Sequence, residues 1–338
     1  MEIDGVTNPT KCKMNIVLCT DENYIMPCGI TMVSLLENDK DNIIIFHIMG
    51  IELKEKSKEK LSLICSQYRN ASIMFYDAKE KIINLCYLSP TDYQLLNNAN
   101  YIRLFLGDIL SENIDKVLYL DCDIIVSDNL SDLWNTNIEN YSLAGVPDLH
   151  ICCSHPETFN RLGYSDKEQY INSGVLLINL KYWREKNIIS TFVNYAREKH
   201  GNLLLQDQDI INGVLYDSIL SLPIRFNIIN TYYWSKNNDT AYYWDEIYAA
   251  LIDPAIIHFT SPEKPWLKLC MHPLKKEFIR YKNISPWENE SFAWPNVSLK
   301  KKVRYYKRKV LYALRLQKQK YMAVKRDMAT GKYNIKIQ

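Results

Sequence analysis

Glycine is scarce in this chain, ten in 338 residues, and neither G-x-G-x-x-G nor G-x-x-x-x-G-K-[ST] occurs. A nucleotide's phosphates, if bound, must therefore be held by a metal and side chains rather than by a glycine cradle at a helix start. C-x-x-C is missing too: the nine cysteines are scattered, and Cys152 and Cys153 are adjacent. Such spacing indicates neither a zinc site nor a disulfide framework. It reads instead as buried, reduced thiols in a reducing compartment. Long apolar runs are lacking, since stretches such as Val175 to Ile178 stop far short of the roughly 18 residues that span a bilayer. Met1-Glu-Ile-Asp-Gly5 has neither the basic nor the apolar region of a signal peptide. These absences predict a cytoplasmic protein.

What is present is ordinary in bulk: 47% hydrophobic and 24% charged residues, typical of a soluble globular chain. The length suits one large α/β domain with an appendage. The net charge of +2 conceals an asymmetry. Lys300 to Arg326 holds twelve Lys/Arg and no Asp/Glu, while residues 1–299 hold 27 basic and 38 acidic side chains, a balance of −11. A composition break near Trp294-Pro295 marks where the basic segment starts.

Along the chain, residues 1–13 are polar and read as frayed. Met14 to Thr20, Ile43 to Met49 and Ser72 to Tyr76 read as strands. Between them lie a helix entered at Pro27 and a Lys/Glu-rich helix from Leu53 to Tyr68. This β-α-β-α-β order predicts a right-handed, mostly parallel sheet. A loop around Pro90 and a helical Tyr101 to Leu106 lead to the strand Val117 to Leu120. Ser142 to Val146, Tyr170 to Leu180, Leu220 to Leu222 and Ala255 to His258 read as further strands, and Lys181 to Lys199 as one helix. Leu149 to Gln169, with little periodicity, reads as a wall or lid.

The informative stretch is Lys116-Val-Leu-Tyr-Leu-Asp-Cys-Asp123. A buried strand runs straight into two aspartates, and residues i and i+2 of an extended segment point the same way. Paired like charges call for a cation, and hard oxygen ligands suit Mn²⁺ or Mg²⁺. Ligands in open α/β sheets sit beyond the carboxyl ends of the strands, which is where this pair falls.

Six collinear motifs carry a resemblance: Asp21-Glu-Asn-Tyr24, Tyr101-Ile-Arg103, the Asp121-Cys-Asp123 stretch, Asn172-Ser-Gly-Val-Leu-Leu-Ile-Asn-Leu180, Gln206-Asp-Gln-Asp-Ile-Ile-Asn212 and His258-(x)5-Lys-Pro-Trp266. In order and spacing, from about Met14 to about Phe278, they resemble family 8 glycosyltransferases. The likeness is greatest to the bacterial lipopolysaccharide α-galactosyl- and α-glucosyltransferases. The resemblance implies a GT-A fold, Rossmann-like, with a mixed, mostly parallel sheet flanked by helices over residues 14–290. It also implies a UDP-sugar donor, Mn²⁺ dependence and retention of anomeric configuration.

By that resemblance Asp121, Asp123 and His258 are the metal ligands, and Lys264 adds positive charge at the leaving diphosphate. Asp21 and Asn23 meet the uracil and ribose, with Cys19 and Cys122 among the donor-binding positions. Arg103 bridges sugar and diphosphate. Asp148, Asn172, Gly174, Asp207 and Gln208 surround the donor sugar, whose hydroxyls need the paired donors and acceptors that carboxylates and amides supply. Each has a plainer reading: a core histidine, a solvated lysine, a turn at Asp21 and Asn23, a surface ion pair at Arg103, a helix N-terminal charge at Asp207 and Asp209. Where the family usually has glycine between its His and Lys, this chain has Ser261, which calls for a strained backbone or a displaced loop.

Retention allows either a double displacement or a front-face attack. By resemblance the residue nearest the anomeric carbon is Gln208, and a neutral amide is a poor nucleophile, so the front-face route is favoured. The basic segment, 298–338, places Val303, Tyr306, Val310, Leu314, Gln317 and Tyr321 near helical spacing. It reads as an amphipathic helix for the anionic inner face of the cell membrane, or as a solvated helix packed on the acidic body. Nucleic acid is not the expected partner, because the body is acidic and no recognition module is present. The sequence thus predicts a membrane-peripheral enzyme carrying galactose or glucose from UDP-galactose or UDP-glucose to a glycan or glycolipid acceptor. The rival is a non-catalytic UDP-sugar or glycan-binding protein on the same fold.

Overall fold

Aliphatic runs without alternation need apolar cover on both sides, and the chain supplies it with helices. In the computed structural model, which describes residues 11–78, 99–165, 168–235, 239–314, 316–317 and 320–336, β1 (Lys13–Thr20), β2 (Ile43–Gly50) and β3 (Ala71–Asp77) pair in parallel. The crossovers are helices Ile25–Asn38 and Glu55–Ser66. β4 (Lys116–Leu120) joins β1 in parallel, with Ile16 opposite Leu118. Its other edge meets β7 (Ile171–Asn179) antiparallel, with Leu118 opposite Leu177. β6 (Leu143–Pro147) and β8 (Ile219–Ser221) complete a seven-stranded sheet of order β3-β2-β1-β4-β7-β6-β8. The expected mixed, mostly parallel sheet is present.

Alternate residues feed two cores. Ile16, Leu18, Leu118, Leu120 and Leu177 face one side, with Phe46 and Leu35. Val17, Val117, Tyr119, Leu176 and Ile178 face the other, with Trp183 and Phe192. Beyond β4 the chain leaves the main sheet and enters a small one, in which β5 (Ile124–Val126) pairs antiparallel with β10 (Ile256–His258). β10 also pairs in parallel with β9 (Ile228–Ile229). The seam between the sheets is the Asp121-Cys-Asp123 turn.

Three expectations change. The helix read over Lys181–Lys199 is two, Leu180–Glu185 and Ile188–Glu198, broken where Asn187 adopts φ 50°. The stretch from Leu149 forms two short helices, Leu149–Ser154 and Glu157–Leu162. The loop at Pro90 and residues 1–10 lie outside the described residues.

The third change is in the basic segment. Its helix spans Leu299–Ala313 and does not continue through Tyr321 to Arg326. The chain instead returns to the body as a hairpin of β11 (Ala323–Arg326) and β12 (Tyr333–Lys336). Asp327 closes its turn, with Oδ1 accepting from the Ala329 and Thr330 amides and Gly331 at φ 75°. The reason is burial: Tyr321, Met322 and Tyr333 sink to 5%, 2% and 3% exposure, which a continued solvent helix could not give them. Met322 N–H donates to the Tyr233 carbonyl at 2.8 Å, and Arg326 pairs with the buried Glu277 at 3.2 Å. No described helix is long and apolar enough to cross a membrane.

Tyr333 fills this joint without a partner for its hydroxyl. Tyr333→Ala is expected to cost about 3–5 kcal/mol of unfolding free energy, and Tyr333→Phe close to nothing. Chemical denaturation checks both; a small loss in the alanine variant would show that the hairpin is not part of the body's core.

Candidate active site

The site is assembled where β4 and β7 end and β10 begins. β4 delivers Asp121, whose backbone N–H donates to the Gly174 carbonyl on β7 at 2.8 Å. The turn that follows is pinned from beneath, Thr31 Oγ1 donating to the Cys122 and Ile124 carbonyls at 2.9 and 2.8 Å. Asp121 and Asp123 are thus directed inward by a fixed turn rather than by the extended alternation expected from sequence. Antiparallel pairing of β10 with β5 sets His258 opposite Ile124. His258 Nε2 lies 3.2 Å from Asp123 Oδ1 and 3.6 Å from Asp121 Oδ2.

A backbone amide decides which way this imidazole is protonated. Gly174 N–H donates to Asn172 Oδ1 at 3.1 Å, so that oxygen is an acceptor. The Asn227 atom facing it at 2.8 Å must then be Nδ2. Asn227 Oδ1 is left facing His258 Nδ1 at 2.9 Å, where it accepts. With the proton on Nδ1, Nε2 turns a lone pair toward two carboxylates. One ligand atom from each of the three side chains falls within 4.8 Å of the others. Two oxygens and an imidazole, all acceptors and converging, are satisfied by a divalent cation, and the donor set fits Mn²⁺ or Mg²⁺. Gly174 is required here: a Cβ would stand 2.2 Å from His258 Cε1 and 2.8 Å from Asp121 Oδ2.

Two cations offset the carboxylates. Lys264 Nζ bonds Asp123 Oδ2 and, at 2.7 Å, the Phe259 carbonyl. Burial alone would raise the Asp123 pKa, but the Lys264 ammonium beside it leads the opposing effects that hold the carboxyl well below the usual range. Arg103, 5% exposed, donates to Asp121 Oδ1 at 2.9 Å and to the Ser173 carbonyl at 2.8 Å. Its Nε lies 3.2 Å from Asp207 Oδ2, and its plane stacks over Tyr119 at 4.4 Å. This is a buried bridge, not a surface ion pair. Burial pushes the Asp207 carboxyl up to about 6 even against Arg103.

The side-chain amides of Asn172 and Gln208 are locked into the same network. Gln208 Oε1 accepts from Ser173 N–H at 3.0 Å and from Asn172 Nδ2 at 3.2 Å, and Asn172 Nδ2 also approaches Asp148 Oδ2 at 3.4 Å. Burial raises the Asp148 pKa. Asp207 and Gln208 open helix Asp207–Leu215 directly after Gln206, which holds φ 50° and ψ −118°. Such a backbone costs on the order of 1–3 kcal/mol and is kept where the surroundings enforce it.

A cleft of about 380 Å³ opens beside this network, lined by Cys19, Asp21, Arg103, Asp121, Cys122, Asp123 and Lys264 among others. A larger cavity, about 610 Å³, sits at the opposite end of β4 around Asp115 and Lys116, away from the Asp121, Asp123 and His258 cluster. Asp21 also performs its plainer role, Oδ1 accepting from the Asn23 and Tyr24 amides at 2.9 and 3.1 Å. Asn23 is exposed and outside the cleft lining. Ser261 has no positive φ. Its Oγ caps the Glu263 amide at 3.0 Å, so the strained backbone that the missing glycine suggested does not occur.

Sequence reasoning missed Asn227, Ser173 and Tyr119. Tyr119 was findable, since it shares a strand face with Asp121 and donates to Asp121 Oδ1 at 2.7 Å. Asn227 was not: only the pairing of β9 with β10 brings it to a histidine 31 residues away.

Comparison with known proteins agrees with this geometry. The model of the family described as Glycosyl transferase family 8 matches residues 15–270. General stress protein A of Bacillus subtilis is 29% identical over 280 residues, covering 81% of this chain and 94% of that protein. A lipopolysaccharide 1,2-glucosyltransferase of Escherichia coli is 29% identical over 322 residues, covering 91% and 87%. Among solved structures, galactosyltransferase LgtC in complex with donor and acceptor sugar analogs superposes with a TM-score of 0.66 at 26% identity, covering 84% of this chain and 98% of that one.

Asn227→Ala removes the acceptor that orients His258. Mn²⁺ affinity is expected to fall about 10–100-fold, read by titrating the ion in the absence of any donor. Unchanged affinity would show that the ring is held without Asn227.

Proposed function

Because the chain belongs to glycosyl transferase family 8, we propose that it transfers galactose or glucose from a UDP-sugar to a glycan acceptor of a lipopolysaccharide or cell-surface oligosaccharide, with retention. The observation that carries this reading is the meeting of Asp121, Asp123 and His258 with Lys264 and Arg103 beside a cleft that Arg103, Asp121, Asp123 and Lys264 line, with Asp207 paired to Arg103 and Gln208 hydrogen-bonded to Asn172. A glucosyltransferase and a galactosyltransferase among the similar proteins support the two hexoses.

A divalent cation held by Asp121, Asp123 and His258, Mn²⁺ or Mg²⁺, supplies Lewis-acid stabilisation of the charge that develops on the departing diphosphate. Lys264 and Arg103 add fixed positive charge on either side of the aspartates. Cys19, Asp21, Asn23 and Cys122 form the nucleotide side, and Ser261 belongs to the loop that carries Lys264. Asp148, Asn172 and Asp207 offer the acceptors and donors that sugar hydroxyls need, and Gly174 leaves room for His258 and Asp121 to pack against its strand.

The bond from the anomeric carbon to the diphosphate breaks with its electron pair going to UDP. The acceptor oxygen attacks on the same face, and its proton passes to the departing phosphate. Gln208, its Oε1 fixed by Ser173 and Asn172, stabilises the cationic centre but is too weak a nucleophile to form an adduct. Asp207 is engaged by Arg103 and by Ser173 Oγ at 3.1 Å, which supports the front-face route over double displacement.

The enzyme works at the inner face of the cell membrane in this proposal. Helix Leu299–Ala313 supports it: Leu299, Val303, Tyr306 and Val310 form one stripe, 56–76% exposed, among cations worth about 1 kcal/mol each near an anionic surface.

Three measurements check the reading. In a panel of UDP-sugars with Mn²⁺, release of UDP is expected from UDP-galactose or UDP-glucose. Gln208→Ala should lower turnover by on the order of 10²-fold with UDP affinity nearly intact. A sugar adduct trapped on Asp207 in that variant would establish double displacement instead. Val303→Asp with Val310→Asp should abolish sedimentation with anionic vesicles while donor hydrolysis survives; retained sedimentation would remove the helix from the membrane contact.

A further inference from the structure

Helix Leu299–Ala313 is amphipathic the wrong way round for a helix that packs on a protein body. Its apolar stripe faces solvent, while Lys301, Arg304 and Arg308, spaced three and four residues apart, line a groove of about 430 Å³. Across that groove stand Leu269, Met271 and Val297. Among the described residues none of the three cations has an ion pair. Glu263 is the one acidic residue in the lining. An apolar floor with an unneutralised cationic rim is complementary to a ligand that is apolar along its length and anionic at one end.

The groove also shares a wall with the site. Pro262 and Glu263 line it, and the next residue, Lys264, reaches Asp123 on the far side of the same loop. The loop continues to Leu267, whose N–H donates to the Lys264 carbonyl at 2.9 Å. Trp294 fixes the other wall, packing edge-on against Tyr305 and Tyr306 and lying under Lys268 and Lys302. The helix is therefore held at its start by an aromatic anchor, with Lys301, Arg304 and Arg308 solvent-accessible along the groove's edge and the apolar stripe turned away from the body.

The geometry points to this groove as the binding site for the phosphate-bearing lipid end of a membrane-anchored acceptor. The alkyl chain lies on Leu269, Met271 and Val297, and the phosphate is held by Lys301, Arg304 and Arg308. The occupant's identity as an acceptor rests on the glycosyl-transfer reading above; the groove's chemistry does not. A lipid seated here leaves the membrane beside the outward stripe and presents its glycan to the loop that carries Lys264.

The probe is monomeric dodecyl phosphate, titrated against the full chain, with inorganic phosphate and dodecyl maltoside as its two halves. Saturable binding of dodecyl phosphate is expected, at least tenfold tighter than either half. Arg304→Gln with Arg308→Gln should weaken it at least tenfold. Lys300→Gln with Lys307→Gln, an equal loss of charge at exposed positions outside the groove, should leave it unchanged. Equal weakening by both pairs, binding of inorganic phosphate as tight as the lipid's, or no saturation would each overturn the proposal. UDP release from the donor, read on the same three proteins, tests the transferase reading separately.

Discussion

Two carboxylates held together by a turn are the constraint that orders this structure. Asp121 and Asp123 cannot lie side by side in a protein interior without opposite charge, and everything around them supplies it. Arg103 reaches Asp121 from the second core and Lys264 reaches Asp123 from the loop after β10, while the neutral His258 ring sets its Nε2 between the two carboxylates, open to a cation. A buried ion pair that loses one partner leaves an uncompensated charge, which is costlier than the pair is favourable. The network is therefore held as a unit, although residue 103, the 121–123 turn and the 258–264 segment lie far apart in the chain.

The same unit explains two local oddities of the sequence. Gly174 is not a turn glycine; it sits in a strand, where any side chain would collide with His258 and Asp121. Gln206 carries an unfavourable backbone so that Asp207 and Gln208 enter the network at the first turn of their helix. Strain and the missing side chain both favour a fixed arrangement of polar groups over local stability.

The C-terminal segment divides by burial rather than by charge. Tyr321, Met322 and Tyr333 belong to the body's core, although the chain around them is basic. Tyr321 packs on the buried His272, and His272 in turn on Phe259, the neighbour of His258. Burial keeps His272 neutral, its pKa lowered to about 3, so this contact is apolar in character. Only helix Leu299–Ala313 stands apart, with one face for a surface and the other for a groove.

From the amino-acid order alone came the strands, whose continuous apolar runs admit only a doubly covered sheet, and the six motifs that place the family. The Asp121, Asp123 and His258 group and the side chains of Asp148, Asn172, Asp207 and Gln208 were named through the resemblance those motifs carry, and the structure brings them into one network. Helix breaks at Asn187 and Ala313 were hidden, since local periodicity does not report where burial elsewhere overrides it. Asn227 was equally hidden, because an asparagine in a loop carries no mark of the histidine it will orient. Only the pairing of β9 with β10 brings them together, and only the fixed Gly174 amide decides, through Asn172 and Asn227, which nitrogen of His258 is free to bind.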